Sequence, residues 1–379
     1  MKCRESVRNA TALCMGRGRF ATQGSVGVRI VSVVGARPQF VKLAPISKAL
    51  EGLAEHIIVH TGQHYDDLMS DVFFRDLGIP AAAVNLAVGS GSHGQQTGQM
   101  LAGLEREFEH LAPDWVLVYG DTNSTLAAAL AAVKMHLPVA HLEAGLRSFN
   151  RRMPEEHNRV LTDHAADLLL APTQAAMDHL AHEGLGDRAV LVGDVMTDVL
   201  YSVRDHLPAN LRLPPLELPD RGYYVATIHR PDNTDDPARL RGIIDSLAGL
   251  DRPVLLLTHP RLHALAAKHG IRLDLGSVRI HEPLPYPELV ATVMHSAGVV
   301  TDSGGLQKEA FLLRVPTTTI RTETEWVETV DLGWNVLAND VNAIANAVTR
   351  PMPAPTDAAP YGDGHAADAV VTQLLGEPR

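Results

Sequence analysis

The chain has 379 residues, enough for two domains of ordinary size. Its formal charge is −11, from 33 Lys and Arg against 44 Asp and Glu, a balance that argues against nucleic acid as the main partner. Hydrophobic residues make up 45% and charged residues 20%, the composition of a globular enzyme, and no apolar run approaches the roughly 18 residues needed to cross a bilayer, so no membrane partner is expected.

Residues 1–27 hold Arg4, Arg8, Arg17 and Arg19 but neither periodicity nor a continuous apolar stretch. They read as a disordered extension, not a signal peptide. Both cysteines, Cys3 and Cys14, lie in it, so the folded body is expected to carry no disulfide and no cysteine metal site, as suits a cytoplasmic protein. The first strand spans 28–34. Gly35 breaks it, and Pro38 opens a helical pattern with Phe40, Val41, Leu43, Ile46 and Leu50 on one side. A strand at 57–61, a helix at 65–77, a Gly- and Ser-rich loop at 89–94 and a helix running toward His110 follow. Strands at 115–119 and 139–142 flank an Ala-rich helix at 125–135.

After a Pro- and Leu-rich connector at 206–219 the alternation restarts: strand 223–227, helix 237–247, and strands 254–257, 278–280 and 298–301. Beyond Arg350 only 366–375 reads as helix. Strand–helix alternation argues for α/β architecture with parallel sheets covered on both faces. The expected division is 28–195, rejoined by the C-terminal helix at about 362–379, and 196–361, the two meeting near 193–200 around a cleft.

Three carboxylate-bearing motifs follow predicted strand ends: Gly120-Asp121-Thr122-Asn123, the Glu143-Ala144-Gly145-Leu146-Arg147 run behind His141, and Pro154-Glu155-Glu156. Open α/β sheets bind ligands at those ends, so Asp121, Glu143 and Glu155 are acid–base candidates. The plainer accounts are a helix cap for Asp121 and an i,i+4 pair of Glu155 with Arg159. Gly35-Ala36-Arg37-Pro38 enters a helix whose N-terminus, with Arg37 and Lys42, suits an anion. Ser303-Gly304-Gly305 repeats that logic in the second half, with Glu309 one turn into the helix, placed to accept the hydroxyls of a ribose. His229 and Arg230, at another strand end, are read as a donor to a phosphate oxygen and a neutraliser of a leaving diphosphate. His141 and Glu143 share a strand face, but no third ligand has a defined spacing, so no metal is expected.

In this order the motifs resemble the non-hydrolysing UDP-N-acetylglucosamine 2-epimerases, from Val28 to about Leu337. The resemblance implies two Rossmann-like domains of GT-B type, a homodimer, no added cofactor, and a role in cell-envelope polysaccharide synthesis. It implies elimination and re-addition of UDP, with Asp121, Glu143 and Glu155 moving protons at C2 of the sugar. Arg37, Lys42, His229, Ser303 and Gly304 would hold the diphosphate, and Glu309 the ribose. Gly35-Ala36-Arg37-Pro38-Gln39-Phe40 and Thr324-Glu325-Trp326-Val327-Glu328 are closer to a branch that includes epimerases of UDP-2,3-diacetamido-glucuronic acid. A uronate needs a further cation, for which Arg147, Arg151 and Arg152 are candidates. The competing readings are a hydrolysing epimerase, a GT-B glycosyltransferase and a nucleotide-sugar sensor. Three convergent carboxylates argue against the sensor, because they repel an anionic ligand.

Overall fold

The computed structural model describes residues 27–63, 79–208 and 219–376. The extension before Gly27, the helix expected at 65–77 and most of the connector fall outside them. The first half is a seven-stranded parallel sheet of order β3-β2-β1-β4-β5-β6-β7. Its strands are β1 (Arg29–Val34), β2 (Glu55–His60), β3 (Val84–Asn85), β4 (Trp115–Tyr119), β5 (Val139–Leu142), β6 (Leu168–Ala171) and β7 (Ala189–Leu191).

Both faces of this sheet are covered, which is why its strands read as nearly unbroken apolar runs. In β1, Ile30 and Val34 enter one cluster with Phe40, Leu43, Ile46 and Leu50 of the helix Arg37–Leu50. Val31 and Val33 enter the opposite cluster with Met100, Leu104 and Phe108 of the helix His93–Leu111 and the alanines of the helix Asn123–Lys134. Truncating a fully buried member such as Leu43 to Ala costs about 2–5 kcal/mol.

The second half repeats the plan with six parallel strands in the order β10-β9-β8-β11-β12-β13. These are β8 (Tyr224–Thr227), β9 (Val254–Leu257), β10 (Val278–His281), β11 (Gly298–Thr301), β12 (Thr317–Thr319) and β13 (Asn335–Leu337). The two units give the GT-B arrangement of paired Rossmann-like sheets. Their chain crosses over through the helix Val195–Asp205. The final helix, Ala366–Leu375, returns to pack Val370, Val371 and Leu374 into the core around the helix Arg37–Leu50. Asp198 fixes it by accepting the backbone N–H groups of Ala366 and Ala367, at 3.0 and 2.7 Å.

Each sheet reverses its strand order once, between β1 and β4 and between β8 and β11. Ligands of doubly wound sheets bind at such switch points. The loops there carry Gly35, Gly120-Asp121, His229-Arg230 and Asp302-Ser303. Gly35 has no room for a side chain: an added Cβ would lie 2.0 Å from Thr61 Oγ1 and 2.3 Å from Ser124 Oγ.

Candidate active site

In the first half two carboxylates each hold a cation. Asp121, following β4, pairs with Arg159 of the helix Pro154–Ala165. Glu143, following β5, pairs with Lys42 of the helix Arg37–Leu50. Burial works against the Lys42 ammonium, but the carboxylates of Glu143, Asp121 and Asp194 outweigh it and raise its pKa. Burial likewise opposes the charge on Arg159, and Asp121, Glu143 and Glu156 overcome it. Glu143 sits at φ 75°, a left-handed conformation costing a non-glycine residue about 1–3 kcal/mol. Hydrogen bonds from its own N–H and that of Ala144 to the Leu170 carbonyl, at 3.1 and 3.2 Å, hold the turn.

Several expectations need correction here. The helix after β4 is capped by Thr122, not by Asp121. Arg159 pairs with Asp121 and Glu156, not with Glu155, which is exposed and bonds no described residue. Glu156 is the buried member of that pair: it accepts the N–H groups of Ser148 and Phe149, both at 2.9 Å, and braces the loop before the helix. Burial pushes its carboxyl up, and those bonds with Arg159 more than reverse it, so its pKa lies below the ordinary range. Arg147, expected at the substrate, is buried instead between Asp163, at 2.7 Å, and Glu183, at 2.8 Å. His141 gives Nδ1 to Asp163 (2.6 Å) and Nε2 to the Gly120 carbonyl (2.7 Å), leaving neither nitrogen for a metal. Among the described residues no group of three or more His, Cys, Asp or Glu is placed to hold a metal ion. Lys42, expected at a diphosphate, lies on Glu143. Arg37 starts its helix, and its side chain is outside what the structure describes.

The second half offers donors. Asp302, fully buried after β11, accepts the backbone N–H groups of His229 and Arg230 and holds His229 Nδ1 at 3.0 Å. Burial alone would raise the Asp302 carboxyl; the bonds from His229, Asn233 and Arg230 hold it low. His229 is half-exposed, and its Nε2 has no partner among the described residues. The Arg230 guanidinium has none either. Ser303 caps the helix Gly304–Leu312, and the turn Ser303-Gly304-Gly305 leaves its N-terminus open to an anion. At Gly304 an added Cβ would lie 2.2 Å from Glu325 Oε1, a carboxylate itself paired with Arg321 at 2.9 Å. Glu309 accepts the Tyr286 hydroxyl at 2.9 Å; burial raises its pKa despite that bond.

Arg159, Glu156, Asp302 and Tyr286 thus belong to the site although sequence reasoning gave them no part in it. The partners of Arg159, Asp302 and Tyr286 across the site are 23 to 73 residues away along the chain, while Glu156 bonds Ser148 and Phe149, 8 and 7 residues before it, and Arg159, 3 after. A signal did exist: Arg159, Glu156 and Asp302 stand inside strand-end motifs already singled out, and Tyr286 bonds Glu309, which belongs to one.

A model of the UDP-N-acetylglucosamine 2-epimerase family matches residues 48–375. The UDP-2,3-diacetamido-2,3-dideoxy-D-glucuronate 2-epimerase of Pseudomonas aeruginosa is 44% identical over 360 residues, covering 92% of this chain and 99% of that one. A UDP-N-acetylglucosamine 2-epimerase of Methanococcus maripaludis is 36% identical over 93% and 99% of the two chains. Among solved structures, the UDP-GlcNAc 2-epimerase of Methanocaldococcus jannaschii in complex with UDP-GlcNAc and UDP superposes with a TM-score of 0.77 at 35% identity, covering 91% of this chain and 99% of that one. Two switch-point sites of opposite character and these likenesses agree: the chain belongs to the UDP-N-acetylglucosamine 2-epimerase family.

Proposed function

We propose that this chain interconverts UDP-N-acetylglucosamine and UDP-N-acetylmannosamine without net hydrolysis. The observation that carries the reading is the pair of carboxylates at neighbouring strand ends, each in contact with its own cation, in one half of a molecule whose other half presents an open helix N-terminus. A carboxylate of the first half takes the C2 proton while the C1–O bond breaks and UDP departs with its electron pair. The bound glycal then receives a proton at C2 from the opposite face, and UDP adds back to C1. Asp121, Glu143 and Glu155 are the proton-transfer groups, with Arg159 and Lys42 holding the first two. His229 Nε2, Arg37, Arg230 and the turn Ser303-Gly304-Gly305 stabilise the departing diphosphate, which is the larger part of the barrier because C2–H is weakly acidic. Glu309 takes the ribose, in exchange for or beside Tyr286. The protein works as a cytoplasmic homodimer supplying polysaccharide synthesis.

A second sugar, UDP-2,3-diacetamido-2,3-dideoxy-glucuronate, is favoured by two observations. The Pseudomonas relative shares 44% identity, and Arg151 and Arg152 are exposed with no side-chain partner among the described residues. Incubating the protein with each UDP-sugar and separating the products decides between them. Epimer formation from one of the two supports the reading. Release of free sugar, or no turnover of either, removes it.

A further inference from the structure

Lys308 and Asp194 form a buried ion pair that the reaction above does not use. Lys308 belongs to the helix Gly304–Leu312 of the second half; Asp194 caps the helix Val195–Asp205, where the chain leaves the first sheet. Their side chains are 4% and 2% exposed. Asp194 Oδ1 accepts the N–H of Met196 at 2.8 Å, and Oδ2 accepts from Lys308 Nζ. The ammonium also sits 4.1 Å over the ring of Trp326, in the apolar cluster that joins Leu200 of the crossover helix to Phe311 and Tyr361.

This pair stands between the two half-sites. On one side Asp194 lines the same pocket as Lys42 and Glu143. On the other, Lys308 is chain neighbour to Glu309, and the charge of Asp194 reaches Glu309 and Tyr286. The Lys42 ammonium therefore faces three carboxylates, Glu143, Asp121 and Asp194, and hydrogen-bonds only Glu143. Arg159 faces Asp121 and Glu143 from the far side. Among the described residues, Asp198, Glu309, Tyr286 and Tyr361 also feel the charge of Asp194, and none of these is a cation. A buried carboxylate stripped of its counter-charge takes a proton or captures whatever cation it can reach. For Asp194 without Lys308, that cation is Lys42.

We propose that Lys308 is a positioning residue: by pairing with Asp194 it keeps that carboxylate off Lys42, and so keeps Lys42 on Glu143. A contact in the nucleotide half thereby sets the geometry of the proton-transfer half. The kinetic consequence rests on the epimerase reading; the structural one does not.

Lys308→Met preserves length and removes the charge. In its crystal structure Lys42 Nζ is expected to have left Glu143 for Asp194. Turnover should fall by about 10- to 100-fold with KM changed by no more than about twofold, the pattern of a lost transition-state arrangement. Adding Asp194→Asn keeps the cap on Met196 and removes the orphan charge. The double variant should return Lys42 to Glu143 and bring kcat to within about threefold of native. Lys42 still on Glu143 in the single variant overturns the proposal. So does a raised KM at native kcat, which would make Lys308 a substrate contact. If the single variant does not fold, the double variant decides alone, since it leaves no charge unpaired: folded protein with poor turnover and native KM overturns the proposal. If the native protein epimerises no UDP-sugar, the functional reading fails, while the position of Lys42 in the two variants still settles this one.

Discussion

The two halves share one plan and use it for opposite electrostatics. Each is a parallel doubly wound sheet with one reversal of strand order, and each places its polar motifs at that reversal. In the first half the two strand-end carboxylates are already matched: Asp121 by Arg159, Glu143 by Lys42. In the second, donors are left open: His229 Nε2, the Arg230 guanidinium and the N-terminus of the helix Gly304–Leu312. Matched carboxylates suit a site that moves protons; open donors suit a site that receives a polyanion. Fold alone does not distinguish these tasks.

The largest effect that would break this contrast comes from neutralising the matched carboxylates. Asp121→Asn and Glu143→Gln should each lower turnover by about 10²–10⁴-fold while UDP binding, measured by calorimetry, stays near native. UDP affinity falling in step with turnover would mean the halves do not divide the work.

The next effect concerns Arg147, which the structure buries between Asp163 and Glu183. Arg147→Met removes one charged partner of the buried Asp163, which keeps His141 and the Gly145 N–H, so denaturant unfolding should show a loss of about 1.5–3 kcal/mol. The folded fraction should keep native KM. A changed KM at native stability would return Arg147 to the substrate.

In the second half, His229→Ala should weaken UDP binding by about tenfold, roughly 1.4 kcal/mol, with little change in thermal stability because the ring is half-exposed. Calorimetry with UDP alone reads this directly. Unchanged affinity would leave the open donors without a role.

The smallest effects are in pH. Asp163 and Glu156 sit below their ordinary values of 3.8 and 4.5, in each case because ion pairs and hydrogen bonds outweigh burial. A depressed acid contributes stability that is complete above the unfolded value and lost as pH falls through the folded one. The native protein should therefore lose stability as pH falls below about 4, and Asp163→Asn should flatten that slope. Glu309 has the opposite sign: its raised carboxyl costs stability as pH rises above 4.5, so Glu309→Gln should gain stability at neutral pH relative to acid. Urea unfolding from pH 3 to 7 checks both signs.

The sequence was most legible where structure is local. Strands 115–119, 139–142, 254–257 and 298–301 emerged with their observed limits, because each is a short apolar run buried on both faces and bounded by turn residues. β12 escaped notice because Thr317-Thr318-Thr319 looks polar; the sheet buries all three, and Thr319 spends its hydroxyl on Asn335 Oδ1 at 2.8 Å. β6, a Leu-Leu-Leu-Ala run, has no periodicity to separate strand from helix. Within the site, motif positions were readable and pairings were not. Nothing near Arg147 announces Glu183, 36 residues on, and nothing near Asp121 announces Arg159, 38 residues on. An exposed arginine and a buried one have the same sequence signature until the fold supplies the carboxylates.

The central claim, that the matched carboxylates of the first half exchange the C2 proton while the second half holds UDP, is tested most directly by running the reaction in D₂O and examining C2 of the product by NMR. The account predicts solvent deuterium at C2 of the epimerised UDP-sugar, lost in Asp121→Asn and Glu143→Gln. Epimer formed with its original hydrogen retained at C2 would contradict it.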